Sequence, residues 1–291
     1  MPLQAVNRID FIKGFTDQAI AIQAEEDLNP SKACISSSSF EQIIERFKAW
    51  HGVAIDSLNR LGYDDLRNLF QRLSDSDPHL QLAFSEKRDA SFMLNRPRIQ
   101  WILARFLNVM LMAENRAMLP AITLDSNCLI DYVQDQTNSQ KAEDIETMIF
   151  GAALGRATVA ITTRIHADTS RDSDSERKKR NLKYLARIQQ IGTGFRLGFS
   201  TLDSKDILVP SELAEVTKAI QEVLFPKLSD DDKRIGNKLA DVDHLSGHWW
   251  AMRDYFVTTD DHFLSKSSVL KEKFGITVLT PEECVLELAS R

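Results

Sequence analysis

Four aspartates stand at or beyond the ends of strand-like runs in the second half of this chain. Asp125 closes "AITLD", Asp168 follows "TVAITTRIHA", Asp260 follows "YFVTT", and Asp241 lies in the helical segment "NKLADVDHL". Each alone has an ordinary use. Asp125 and Asp260 suit helix N-caps, Asp168 before Thr169 and Ser170 suits a turn, and Asp241 suits a solvated helix face. Together they suggest other chemistry. Carboxylates converging in one cleft repel each other and cannot all stay ionised cheaply. A divalent cation that prefers oxygen ligands resolves the conflict. Mg²⁺ or Mn²⁺ held by few carboxylates keeps waters, one of which can be activated against a phosphodiester. Two such ions about 3.5–4 Å apart stabilise the attacking and leaving oxygens.

Other residues offer rival chemistries. His244 and His248 form H-x-x-x-H, a spacing able to hold zinc on a helix, but no Glu follows the first His and no Cys partner is near. Packing under the site suits His244 better, and Trp249 and Trp250 suit a core or a subunit contact. His166 is placed to touch a substrate or simply to be solvated. The cysteines, Cys34, Cys128 and Cys284, are far apart and odd in number, as expected of reduced thiols rather than a disulfide framework.

The elements that must position these groups follow from the patterning. The first 115 or so residues read mostly as helix, beginning with "SSSSFEQIIERFKAW", where Ser39 and Gln42 suit a capping box. The stretch Trp101–Ala113 reads as a buried core helix, too short to span a bilayer. His51 and His79 are isolated, and no chemical constellation appears in this half. From Ala121 onward, short apolar runs alternate with helical patterns. That alternation predicts a parallel sheet covered on both faces by helices. "ERKKRNLKYLARIQQI" reads as one basic helix, a second helix starts near Ser229, and Thr280, Pro281 and Glu283 sign the start of the last. In such sheets functional groups gather at the carboxyl ends of the strands, where the aspartates lie.

A length of 291 residues suits two domains, here 1–118 (helical, of unknown role) and 119–291 (α/β). The hydrophobic share of 43%, the charged share of 27% and the net charge of -6 argue against indiscriminate nucleic-acid binding through an overall basic surface, though not against a local basic groove. Such a groove has a candidate. Between Arg171 and Arg187 lie Arg171, Arg177, Lys178, Lys179, Arg180 and Lys183, close after Asp168. They suit phosphate contacts or a solvated face with pairs such as Glu176–Arg180. With no secretory signal in the N-terminal residues, a cytoplasmic protein without membrane association is expected.

These residues carry a family resemblance over 121–291. "LDSNCLIDY" resembles the opening D-[ST]-N-x-x-I motif of PIN-domain nucleases. "TTRIHAD" resembles their second-strand segment, from Thr162 to Asp168. "DVDHL" is similar to their third motif, and "TTDDHF" to their T-x-D-x-x-F, through Thr258, Asp260 and Phe263. The resemblance implies a parallel-sheet α/β/α domain whose metal-binding, catalytic set is Asp125, Asp168, Asp241 and Asp260. Asn127, Thr258 and His244 would orient carboxylates. The second acid is Asp168 where the family usually has Glu, and the third is Asp241 or Asp243, with Asp241 favoured because it shares a helical face with His244 and His248.

The function so implied is a Mg²⁺- or Mn²⁺-dependent endoribonuclease acting on single-stranded or looped RNA. The role of toxin in a toxin–antitoxin pair, held by a small inhibitory partner, is also implied, as is a homo-oligomer. The alternatives are a DNA nuclease acting in defence on DNA, single-stranded DNA included, and a nucleic-acid- or protein-binding scaffold with a vestigial acid site.

Overall fold

The computed structural model describes residues 8–23, 37–78, 80–81, 96–134, 140–170, 174–195, 209–229, 232 and 234–290. They fall into two compact units, which divide between Met118 and Leu119. His79, Arg171 and Cys34 lie outside the described residues, and of Asp168 and Arg177 only the backbone is described. Among the described residues no helix is long and apolar enough to cross a membrane.

The described residues of the first unit are helical: α1 (Arg8–Gln23), α2 (Ser37–Arg60), α3 (Asp64–Asp75) and α4 (Arg96–Ala117). Helix α2 begins two residues before the expected cap at Ser39, within the usual latitude of helix ends. Phe47, Trp50, Phe70 and Phe106 interlock at its centre, the closest pair being Phe70 and Phe106 with ring centroids 4.5 Å apart. The Trp50 indole N–H donates to the Phe15 carbonyl, and the Arg8 guanidinium donates to the Ala117 carbonyl, closing the end of α4. Helix α4 departs from the expectation of complete burial. Phe106, Val109 and Met110 are buried, but Trp101, Leu111 and Met112 are exposed, because the helix packs by one face, chiefly on α1 and α3.

His51 is wedged between the Phe70 and Phe106 rings and hydrogen-bonds the Ser74 hydroxyl. Burial pushes its imidazole below the ordinary value of 6.5, with the Asp75 charge working the other way. The unfolded chain therefore takes up this proton at a higher pH than the folded one. The contribution of neutral His51 to stability is complete above about pH 6.5 and is lost as pH falls below it. Acidification from pH 7.5 to 5.5 is expected to lower the stability of this unit. Hydrogen exchange in α2 and α3 measures the loss, and His51→Gln should flatten it.

The second unit is built on a five-stranded, all-parallel sheet: β1 (Ala121–Leu124), β2 (Thr158–Thr162), β3 (Gln189–Ile191), β4 (Tyr255–Val257) and β5 (Thr277–Leu279). The order is β3-β2-β1-β4-β5. The pattern of "ERKKRNLKYLARIQQI" predicts one basic helix, but the helix ends at Leu185 and the last three residues form β3. "QQI" offers one apolar side chain, enough for an edge strand that pairs, among the described strands, only with β2.

Between and after the strands come α5 (Ser126–Gln134), α6 (Gln140–Ala153), α7 (Ile165–Ser170), α8 (Ser175–Leu185), α9 (Ser211–Leu224), α10 (Ile235–Trp250), α11 (Asp261–Leu264), α12 (Ser267–Phe274) and α13 (Pro281–Ala289). Strand side chains alternate between faces. Ile122, Leu124, Val159, Tyr255 and Val257 meet Cys128, Ile145, Met148 and Cys284 from α5, α6 and α13. Phe256 and Val278 meet Val216, Ile220, Leu245, Leu270 and Phe274 from α9, α10 and α12. Helix α13 starts as its sequence announces, with Thr280 and Glu283 forming a capping box around Pro281. Helix α10 starts at Ile235 rather than near Ser229.

Candidate functional site

From β1 the chain moves outward through β2 to β3, then returns to place β4 on the other side of β1. The direction of winding thus reverses between β1 and β4, the place where open parallel sheets leave a crevice at the carboxyl ends of their strands. Asp125 follows β1 directly and Thr258 follows β4 directly.

Asp125 is buried. Its Oδ1 accepts from the Ser126 N–H at 2.7 Å and its Oδ2 from the Thr258 hydroxyl at 2.7 Å. The same Thr258 oxygen accepts the Asp260 N–H at 3.0 Å, so one side chain ties both aspartates together. Asp260 Oδ1 accepts the His262 N–H at 2.7 Å and caps α11. The capping use foreseen for Asp260 therefore holds, and it leaves Oδ2 without a partner among the described residues. Burial pushes the Asp125 carboxyl above its usual range. His244, the Thr258 hydroxyl and the Ser126 N–H act against that rise, and the Asp260 charge adds to it. No lysine or arginine pairs with Asp125 among the described residues.

The third acid is set by α10. His248 Nδ1 meets the Thr123 hydroxyl inside β1 at 2.9 Å. One turn earlier, His244 Nε2 meets the Ser126 hydroxyl at 3.0 Å, and its Nδ1 meets the Thr162 hydroxyl at the end of β2. The helix therefore runs against the strands, and its N-terminal turns overhang their carboxyl ends. Asp241 lies three residues further out, about 4.5 Å along the axis, half-buried and beyond the strands. Asp243 faces elsewhere: its carboxylate is buried 3.0 Å from the Arg164 guanidinium. Of the two candidates for third acid, Asp243 is paired with Arg164, and Asp241 is half-buried in the second turn of α10.

The remaining predicted residues fall as follows. Asp168 sits in α7, two turns beyond β2, in a helix rather than a turn. Asn127 is exposed on α5 and makes no hydrogen bond to a carboxylate among the described residues, because the second helical position turns its side chain outward. His244 and His248 are buried and spend ring nitrogens on threonine and serine hydroxyls, which accounts for their spacing without zinc. Trp249 is core, and Trp250 packs against it half-buried. His166 is exposed on α7, with Nε2 2.9 Å from the Gln190 side chain. In α8, Lys179, Arg180 and Lys183 are exposed and Lys178 is half-buried. Glu176 pairs with Lys179 rather than Arg180, since three residues bring the side chains together here. Burial holds the Cys128 thiol well above its ordinary range and lifts Cys284 to about 12, so neither is a nucleophile at neutral pH.

Three features escaped the sequence reading. Ser126 holds His244, Thr259 donates to Asp131 at 3.1 Å, and Arg164 is buried against Asp243, Thr193 and the Gly194 carbonyl. One signal was available. Thr123 and Thr162 occupy the α10-facing positions of otherwise apolar strands, where a parallel sheet ordinarily carries only apolar residues.

Helix α10 lies so close to the sheet because Gly247 has no Cβ. One added there would stand 3.0 Å from Thr193 Cγ2, 3.2 Å from the Gly192 carbonyl oxygen and 3.3 Å from Thr162 Cγ2. Gly247→Ala gains about 1 kcal/mol of helix propensity, but overpacking costs about 1–3 kcal/mol. A net loss of about 1 kcal/mol in urea unfolding is the expected outcome, with His244 displaced from Thr162.

Among the described residues, no three His, Cys, Asp or Glu side chains are gathered as a ready-made metal cluster. The donor chemistry nevertheless suits a hard divalent ion. The candidate ligands are all oxygens, and one is a buried carboxylate that no lysine or arginine pairs with among the described residues, a state that metal coordination relieves. Comparison of the chain with protein-family models, curated proteins and solved structures finds no match, so the functional reading stands on this geometry and on the motifs.

Proposed function

We propose that the α/β unit is a PIN-like, metal-dependent nuclease that hydrolyses RNA phosphodiesters. The observation that carries this reading is Asp125: buried at the sheet's switch point, tied to Asp260 through Thr258, and with no lysine or arginine paired to it among the described residues. The order and spacing of the four motifs over 121–291 support the same reading.

In this proposal Asp125, Asp260, Asp241 and Asp168 hold the ion. Bound Mg²⁺ or Mn²⁺ supplies an activated water and neutralises charge on the scissile phosphate. Thr258 fixes the orientation of Asp125, and its bond to the Asp260 N–H fixes the loop that carries the second acid. His244 braces Ser126, the residue whose N–H holds the other Asp125 oxygen. An acidic centre holds a polyanion only beside basic surface, for which the exposed α8 residues Lys179, Arg180 and Lys183, with Lys178, are the described candidates; Arg171 and the Arg177 side chain lie outside what is described. A cytoplasmic toxin restrained by an antitoxin, and a homo-oligomer, belong to the same proposal through the family resemblance alone.

The test is incubation of the full chain with Mn²⁺ and matched RNA and single-stranded DNA oligonucleotides. RNA cleavage leaving 5′-phosphate and 3′-hydroxyl ends, abolished by EDTA, is expected. Cleavage of DNA alone would transfer the reading to a DNA nuclease. Cleavage that persists in EDTA and leaves a 2′,3′-cyclic phosphate would overturn the metal mechanism. No cleavage of either would leave the scaffold.

A further inference from the structure

An acid-lined crevice repels the substrate it is proposed to cut, so affinity must come from its flanks. Helix α8 supplies cations on the β2–β3 side, and the opposite flank carries a different kind of cluster. Phe225 ends α9 with non-helical backbone, and its ring lies parallel to that of His262, centroids 4.9 Å apart at 14°. His262 Nε2 donates to the Leu224 carbonyl at 3.1 Å, which fixes the imidazole plane. The Lys238 ammonium stands over the Phe225 ring, 5.4 Å from its centroid, and pairs with Asp232 at 2.5 Å. All these side chains are partly exposed.

The cluster adjoins the acids on two sides. The His262 N–H is the donor to Asp260, and Lys238 lies one turn before Asp241 on α10. A strand with its phosphate at the acids would have its neighbouring nucleotide here. Unpaired nucleic acid is held by this combination of an aromatic platform and a nearby cation. With His262 stacked on the ring and the Lys238 ammonium over it, an unstacked base, which a duplex does not offer, enters as Lys238 moves from the ring to the phosphate. The Lys238–Asp232 pair is partly solvated and of low worth, so a phosphate can replace the carboxylate.

Resting on the nuclease reading, we infer that Phe225, His262 and Lys238 form a nucleotide subsite that stacks one unpaired base and holds its phosphate, selecting single-stranded over duplex RNA. The test uses the full chain in the Asp125→Asn background, which leaves bound RNA intact, with Mg²⁺ present. A labelled single-stranded uridine RNA of about a dozen nucleotides and its duplex are titrated by fluorescence anisotropy. The single strand is expected to bind more tightly. Phe225→Leu and Lys238→Gln should each weaken it about tenfold, while Phe225→Tyr keeps the stack and should bind like the parent. The Phe225→Leu penalty should vanish on an oligonucleotide made abasic throughout, and the Lys238→Gln penalty should shrink in high salt. Equal binding of strand and duplex, or a Phe225→Leu penalty that persists on the abasic strand, or no penalty at all, would overturn the subsite. The two readings fail separately. A parent that cleaves RNA while Phe225→Leu binds normally loses only the subsite. A chain that shows the stacking penalty but never cleaves loses only the nuclease.

Discussion

Asp125→Asn is expected to remove metal-dependent cleavage while leaving the metal-free protein more stable than the parent. The loss follows from the loss of a buried anionic ligand. Lewis-acid stabilisation is worth several kcal/mol, which at about 1.4 kcal/mol per decade corresponds to a fall of about two to three orders of magnitude in rate. The gain follows from burial. The carboxyl is held above its usual range chiefly by desolvation, with Asp260 nearby, and an amide of the same shape carries no charge to desolvate. It still accepts from the Ser126 N–H, and the Thr258 hydroxyl turns to meet it. A rise of about 1 kcal/mol in metal-free stability is the expected size. Thermal unfolding with and without Mn²⁺ reads both effects. The parent should gain about 2–3 kcal/mol at metal concentrations near a hundred times Kd, and the variant should gain almost nothing. A variant less stable than the parent in EDTA, with its Mn²⁺ shift intact, would remove Asp125 from the proposed centre.

The largest effect on folding is expected at Arg164. Its guanidinium is 1% exposed and the Asp243 carboxylate 4%, so neither has water to fall back on. The same nitrogen also reaches the Thr193 hydroxyl and the Gly194 carbonyl, joining the β2–α7 turn, the segment after β3 and α10. Replacing one member of such a pair leaves an uncompensated buried charge, and Arg164→Met should cost about 3–5 kcal/mol. Replacing both, as Arg164→Met with Asp243→Leu, removes the stranded charge as well. The double variant should recover much of the loss, because a well-packed apolar pair is often no worse than a buried ion pair. Urea unfolding across this cycle measures the coupling. Asp243→Asn adds a second readout. As a counter-ion rather than a ligand, Asp243 should be replaceable at a cost in stability while the Mn²⁺-dependent thermal shift persists. Loss of that shift would make Asp243 the third acid.

How much of this was legible beforehand differs by element. The parallel sheet was, because "AITL", "TVAIT" and "YFV" are short, mostly apolar runs separated by helical patterns, which leaves little choice but βαβ crossovers. Strand β3 was not, because edge pairing is specified by its neighbour more than by its own side chains. Thr280 and Glu283 announced their cap, since a capping box is local in sequence. Thr258 was picked out with the motif that carries it. Ser126, Arg164 and Asp131 found their partners only in three dimensions, across separations no local pattern encodes. Asp241 and Asp243 looked alike on paper, two positions apart on one helix; the rotation of about 200° between them turns them to different faces of α10, Asp243 into an ion pair.

The sequence by itself determined that Asp125 and Asp260 follow strands of one parallel sheet, because strand length, apolar runs and crossover helices are local properties of the chain. Only the tertiary structure decided that β1 and β4 are neighbours, that one threonine hydroxyl bridges the two aspartates, and that Asp243 is paired with a buried arginine. Those outcomes depend on strand order and helix rotation, which are fixed by packing between segments more than a hundred residues apart at the β1–β4 contact and nearly eighty apart for Arg164 and Asp243.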